Sequence, residues 1–171
     1  MCSCASVLSK NSTNLIALAL FGAVFIILSV FTSCGDFPVA SDSYEVNNTG
    51  WYSEDTKSFE WTVEDTSTRH DIFVDVRHNQ DYTFSNLYLF LDLTFPNGKN
   101  RRDTLGCTLA DARGNWFGSG LGDIIDHNIL FKENFEFPIE GRYNLRITQG
   151  MRQDPLLGVT DIGFRLETTP N

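Results

Sequence analysis

The chain has 171 residues and carries 13 Lys and Arg against 22 Asp and Glu, a formal charge of −9. That length fits one domain. So acidic a chain repels phosphate backbones and anionic headgroups, which excludes nucleic acid as a partner.

The acidic character is not evenly spread. Every Asp and Glu lies at or after Asp36, and the only charged side chain before it is Lys10. Residues 15–31 are apolar or small throughout. A membrane-spanning helix needs about 20 apolar residues and a secretory core about 7–15, so this run falls between them and its ending decides. It closes on Phe31-Thr32-Ser33-Cys34, followed by Gly35 and Asp36. Small residues before a Cys, directly behind an apolar run, form a bacterial lipobox, in which the chain is cut before the Cys and the sulfur carries acyl chains. Phe31 stands where Leu or Val is usual. Residues 1–33 therefore read as a lipoprotein signal peptide, with Cys34 as the lipidated (palmitate-bearing) residue. The competing reading is an uncleaved membrane anchor. Either way the remainder lies outside the cytoplasm.

Cleavage would remove Cys2 and Cys4 and acylate Cys34, leaving Cys107 alone. The mature chain then has no disulfide and no CxxC metal site, so its fold must rest on a hydrophobic core.

Residues 34–50 are polar and aperiodic and read as the lipidated Cys and a tether. Residues 51–171 read as a single β-sandwich domain, opened by Trp51 and Tyr52. Residues 58–64 alternate, with Phe59, Trp61 and Val63 on one face and Glu60, Thr62 and Glu64 on the other; a period of two marks a strand with one buried face. Residues 71–77 repeat this with Ile72, Val74 and Val76. Leu87, Leu89, Leu91, Leu93 and Phe95 alternate with Tyr88, Phe90, Asp92 and Thr94, which predicts a central strand. Pro96-Asn97-Gly98-Lys99 is a turn signal, so residues 87–107 predict a hairpin. Residues 108–123 read as a long Gly-rich loop with Trp116 and Phe117 as anchors. Strand texture resumes over 124–132 and 133–138. Tyr143, Leu145 and Ile147 alternate, residues 149–157 are irregular, and Ile162, Phe164 and Leu166 mark the last strand. About eight short strands without an amphipathic helix predict an all-β fold, an antiparallel sandwich of jelly-roll or immunoglobulin-like type. The 14 Phe suit such a core.

Candidate chemistry is sparse. Gly118, Gly120 and Gly122 have a phosphate-loop look, but no strand-loop-helix context and no Lys accompany them. Asp123, Asp126 and His127 lack EF-hand spacing and read as solvated loop residues. His70 and His78 fall on one face of a strand but form no zinc pattern. No nucleophile elbow occurs. No catalytic residue, metal ligand or cofactor is assigned, and the chain does not read as an enzyme. Trp51, Tyr52 and Trp116 would be the stacking residues of a sugar platform if the domain bound carbohydrate.

Several segments in order resemble the gliding-motility lipoproteins of the GldH type from the Bacteroidetes. They are residues 84–90, Phe95-Pro96-Asn97-Gly98, residues 103–111, the 114–124 loop with Trp116, residues 143–149, Met151 and Arg152, and Asp161-Ile162-Gly163. The resemblance implies a non-enzymatic outer-membrane lipoprotein associated with the machinery that moves cells over surfaces. A secretion-linked or general envelope role stays open. It also directs attention to Trp116, Phe117, Gly118, Gly120, Gly122 and Asp123, and to Gln149, Met151 and Arg152, as loops for protein partners. Surface lipoproteins of this phylum carry acidic residues just after the lipidated Cys. Here Asp36 stands alone, which favours the periplasmic side. The second reading is a carbohydrate-binding envelope lipoprotein.

Overall fold

The computed structural model describes residues 38–169. The lipobox and Cys34 lie outside the described residues. Nine strands form two antiparallel sheets: β1 (Ala40–Glu45), β2 (Lys57–Val63), β3 (Arg69–His78), β4 (Asn86–Thr94), β5 (Asn100–Thr108), β6 (Ser119–Leu121), β7 (Ile124–Glu136), β8 (Gly141–Gln149) and β9 (Val159–Thr168). One sheet runs β1-β9-β3-β7-β6 and the other β2-β8-β4-β5. The all-β sandwich expected from alternation is the observed fold.

The alternating residues meet between the sheets. Phe59, Trp61 and Val63 of β2, Ile72, Val74 and Val76 of β3, the four leucines of β4, and Ile162, Phe164 and Leu166 of β9 are all buried in one cluster. Trp61 ties the two layers together. Its ring stacks on Tyr143 of its own sheet at 5.8 Å and on Phe164 of the facing sheet at 4.5 Å. Aromatic pairs at such distances add to the roughly 25 cal/mol per Å² of apolar burial that drives the layers together.

The β4–β5 hairpin turns at residues 95–99, where the Phe95 N–H donates to the Lys99 carbonyl and the Gly98 N–H to that of Phe95. Two strands differ from expectation. The stretch read as a tether contains β1, which pairs with β9 from Ala40↔Leu166 to Glu45↔Asp161, so the sheet begins at Ala40 and not at Trp51. β1 is an edge strand exposed along most of its length, and an edge that buries nothing has no alternation to show. The two strands expected over 124–138 are one. β7 runs unbroken but carries extra residues opposite β3, with register shifts between His70 and Ile72 and between Ile72 and Phe73. These bulges interrupt the period of two.

The connections sort by length to opposite ends. The β2–β3, β4–β5 and β7–β8 links are short and sit with Ala40 and the end of β9. The β1–β2, β3–β4, β5–β6 and β8–β9 links are long and sit at the far end, beside the β6–β7 turn. With strands of about nine residues rising roughly 3.3 Å each, the ends stand about 30 Å apart.

Candidate functional site

The long-loop end contains both segments singled out for partner contact. The Gly-rich loop is a folded hairpin. Ala110 bridges to Trp116, and the Phe117 N–H donates to the Leu109 carbonyl at 2.8 Å. The Asp111 carboxylate accepts from the N–H groups of Arg113 and Asn115 and from the Asn115 side-chain amide. Those bonds favour its charged form and hold its pKa below the usual carboxylate value.

Trp116 points inward. It is half-buried against the core, with its ring edge-on to His78 at 4.4 Å and to His127 at 6.3 Å. Phe117 is 66% exposed and Leu121, in the strand beyond it, 93%. Gly118 and Gly120 are close-approach glycines. A Cβ on Gly118 would stand 2.5 Å from the Asp126 carbonyl oxygen, and one on Gly120 1.9 Å from that of Ile124. Gly122 turns β6 into β7 with φ +67°, beside Asp123.

The second segment is clasped by Gln149, which is buried. Its Oε1 accepts from the Met151 N–H at 2.7 Å, and its Nε2 donates to the Gln153 carbonyl at 3.3 Å. Gln149 therefore shapes the loop and offers little to a partner. Met151 packs against the core from partial exposure, and Arg152 is exposed. Asp154 accepts from the N–H and hydroxyl of Ser53, tying this loop to the β1–β2 loop.

Asp126 and His127 lie in strand β7 and not in a solvated loop. Asp126 receives Arg77 Nε at 2.6 Å. His127 is buried and meets His78, Nε2 to Nε2, at 3.1 Å. This pair joins residues 49 positions apart, and no local pattern could have revealed it. His78 is fully buried (0% exposed), as expected of a residue sharing a face with buried His70. Its Nδ1 faces the Asn79 carbonyl at 2.9 Å. A carbonyl only accepts, so Nδ1 carries the proton and Nε2 is left as acceptor for the His127 Nε2–H. Burial lowers the pKa of His78. Burial, with the neighbouring His78 second, brings that of His127 down to about 4. The pair is neutral at pH 7.

The tryptophan platform imagined for sugar does not form. Trp51 is 0% exposed; its indole N–H donates to the Asp55 carbonyl at 2.6 Å, and its backbone bridges to Leu156. With Trp116 half-buried, only Tyr52 of the three is exposed. Among the described residues no group of three or more His, Cys, Asp or Glu is placed to hold a metal ion.

Cys107 is buried on β5, and desolvation pushes its thiol up to about 12. A thiol so protonated and enclosed is a poor nucleophile. Labelling by a thiol reagent at pH 8 is expected to be at least tenfold slower in native protein than in urea. Native labelling as fast as unfolded would show that the β5 edge opens freely.

What does the end offer chemically? Tyr52, Phe117, Leu121 and Leu157 come from three different long connections and the β6 strand, and all four are large, apolar and exposed. Their frame is held by side-chain clasps. A rigid end with projecting apolar side chains suits protein contact better than catalysis.

A sequence model described as GldH lipoprotein matches residues 39–166. The chain is 35% identical over 162 residues to the gliding motility lipoprotein GldH homolog of Christiangramia forsetii, covering 91% of this chain and 98% of that protein. It is 32% identical over 133 residues to the gliding motility lipoprotein GldH of Flavobacterium johnsoniae, covering 74% and 82%. Among solved structures, the infectious bursal disease virus VP2 subviral particle aligns with 75% of this chain and 30% of that one, at 16% identity and a TM-score of 0.34, too loose a likeness to bear on function.

Proposed function

Since this chain belongs to the GldH lipoprotein family, we propose that it is an accessory component of the gliding-motility machinery, anchored in the outer membrane through acylated Cys34 and acting by protein contact at its long-loop end. It performs no catalysis in this reading. The observation that carries it is the polarity of the sandwich. The chain enters at Ala40, beside Leu166, at the short-link end. Phe117, Leu121, Tyr52 and Leu157 project from the other. In this reading the segment from Cys34 joins the domain at the short-link end, and the apolar side chains that meet a partner project from the opposite end of the sandwich. The lone Asp36 after Cys34 supports the periplasmic side.

Two variants of the full chain test this. Phe117→Ser with Leu121→Ser removes only exposed apolar surface, so thermal stability should hold within a few degrees while colony spreading is lost. Cys34→Ala should lose both palmitate labelling and spreading. Normal spreading by the loop double variant would rule out contact at this end. Palmitate labelling or normal spreading of the Cys34→Ala chain would rule out the anchor.

A further inference from the structure

The outer face of the four-stranded sheet has a different chemistry from the loop end. Tyr88 and Phe90 of β4 point outward beside glycines. A Cβ on Gly106 of β5 would lie 3.0 Å from the Tyr88 ring, and one on Gly150, just past β8, 3.0 Å from the Phe90 ring. The missing side chains let both rings lie down on the backbone, so each presents a face to solvent. Tyr88 is 48% exposed and Phe90 36%. On a sheet this broad the result is a shallow aromatic floor and not a groove.

Polar groups frame it in register. Thr104 and Thr148 lie on either side of Phe90, and Arg102 and Arg146 on either side of Asp92. Arg102 is fixed by two bonds to Asp92, at 2.6 and 2.7 Å, with its guanidinium 6.0 Å from the Phe90 ring centre. Arg146 is exposed and makes no ion pair among the described residues. In a chain of net charge −9, this face sets two arginines around a single carboxylate, Asp92, beside two flat rings.

We propose that this face binds an acidic glycan. A sugar ring has one largely C–H face, which stacks on an aromatic face carrying partial negative charge. Its hydroxyls are served by the fixed Arg102–Asp92 pair and the two threonines, and a carboxylate on the sugar is matched by Arg146. A peptide would instead seek an unpaired edge or an apolar groove, and β4 is the paired centre of its sheet. The site uses side chains other than Trp51, Trp116 and the exposed Phe117 and Leu121.

Affinity electrophoresis of the mature chain tests it, with polygalacturonate and its carboxyl-reduced polymer as probes. Wild type should be retarded in polygalacturonate and less so in the reduced polymer. Arg146→Ala should migrate alike in both. Tyr88→Ala with Phe90→Ala should lose at least tenfold in affinity for either, with a far-ultraviolet spectrum confirming the fold. Phe117→Ser with Leu121→Ser should bind as wild type, which separates this site from the contact end. Absence of retardation in polygalacturonate, or retardation unchanged by loss of both rings, overturns the proposal.

Discussion

Acidification from pH 7 to pH 4 is expected to lower the unfolding free energy by on the order of 3 kcal/mol, with the loss concentrated between about pH 6.5 and pH 4. The cause is the buried His78–His127 pair. A single N···N contact of 3.1 Å has room for one proton. A first added proton can go on His127 Nδ1, at the cost of burying a charge, but a second would have to go on His78 Nε2 and set two N–H groups against each other. The groups packed around the pair are Tyr82 and Trp116, which carry no compensating charge. The neighbouring Asp126 favours a charged His127, but Arg77 already holds that carboxylate.

The sign follows from the depressed values. Between the unfolded pKa near 6.5 and the lower folded one, the unfolded chain binds more protons, so stability falls as pH falls and levels off below the folded pKa. Buried His70, whose pKa desolvation also lowers, adds in the same direction. The carboxylates act elsewhere. Asp92 is held below its usual value, first by the Arg102 hydrogen bonds, so its contribution is present above that value and is lost only at still lower pH. Urea midpoints at pH 7, 5.5 and 4 would show the loss, and His127→Leu should flatten it. Equal wild-type midpoints across that range would mean that the pair titrates normally.

How much of this was legible beforehand depends on what each residue faces. Strands β2, β4, β8 and β9 announce themselves because one face is buried and the other is not, as in Phe59-Glu60-Trp61-Thr62-Val63. β1 is silent because Ser41, Asp42, Ser43 and Glu45 are all on the surface, and only pairing with β9 makes them a strand. β7 misleads because its bulges shift the period midway. Trp51 and Trp116 were open between packing and ligand contact; both are anchors, and the exposure passes to Phe117 beside Trp116. The histidine pair depends on strand order, which no local pattern encodes, and the Gln149 clasp, whose partners lie within four residues, depends on how the 149–153 loop closes. The Tyr88–Phe90 floor was visible as an apolar outer face of a central strand, but not the glycines beneath it, which belong to β5 and the chain beyond β8.

A large single-residue loss is expected at Gly158. Its φ is +84°, and a Cβ there would stand 2.2 Å from the Tyr82 backbone nitrogen and 2.6 Å from its Cα. Two costs therefore add in Gly158→Ala. Left-handed backbone costs a residue with a Cβ about 1–2 kcal/mol, and forcing a methyl into filled space costs roughly 1–3 kcal/mol more. Backbone atoms cannot swing aside as a side chain would, so the β3–β4 loop must move. That breaks the hydrogen bond from the Asn79 N–H to the Gly158 carbonyl, 2.8 Å long, and with it the seat of Tyr82 against His78. Gly98→Ala separates the two costs. Gly98 has a similar φ of +79° but no atom within 4 Å of its would-be Cβ, so it should lose only the conformational part, about 1–2 kcal/mol. Urea unfolding of the two variants should place Gly158→Ala well below Gly98→Ala. Equal losses would mean that the Tyr82 segment yields without cost, and that the long-loop end is softer than its clasps imply.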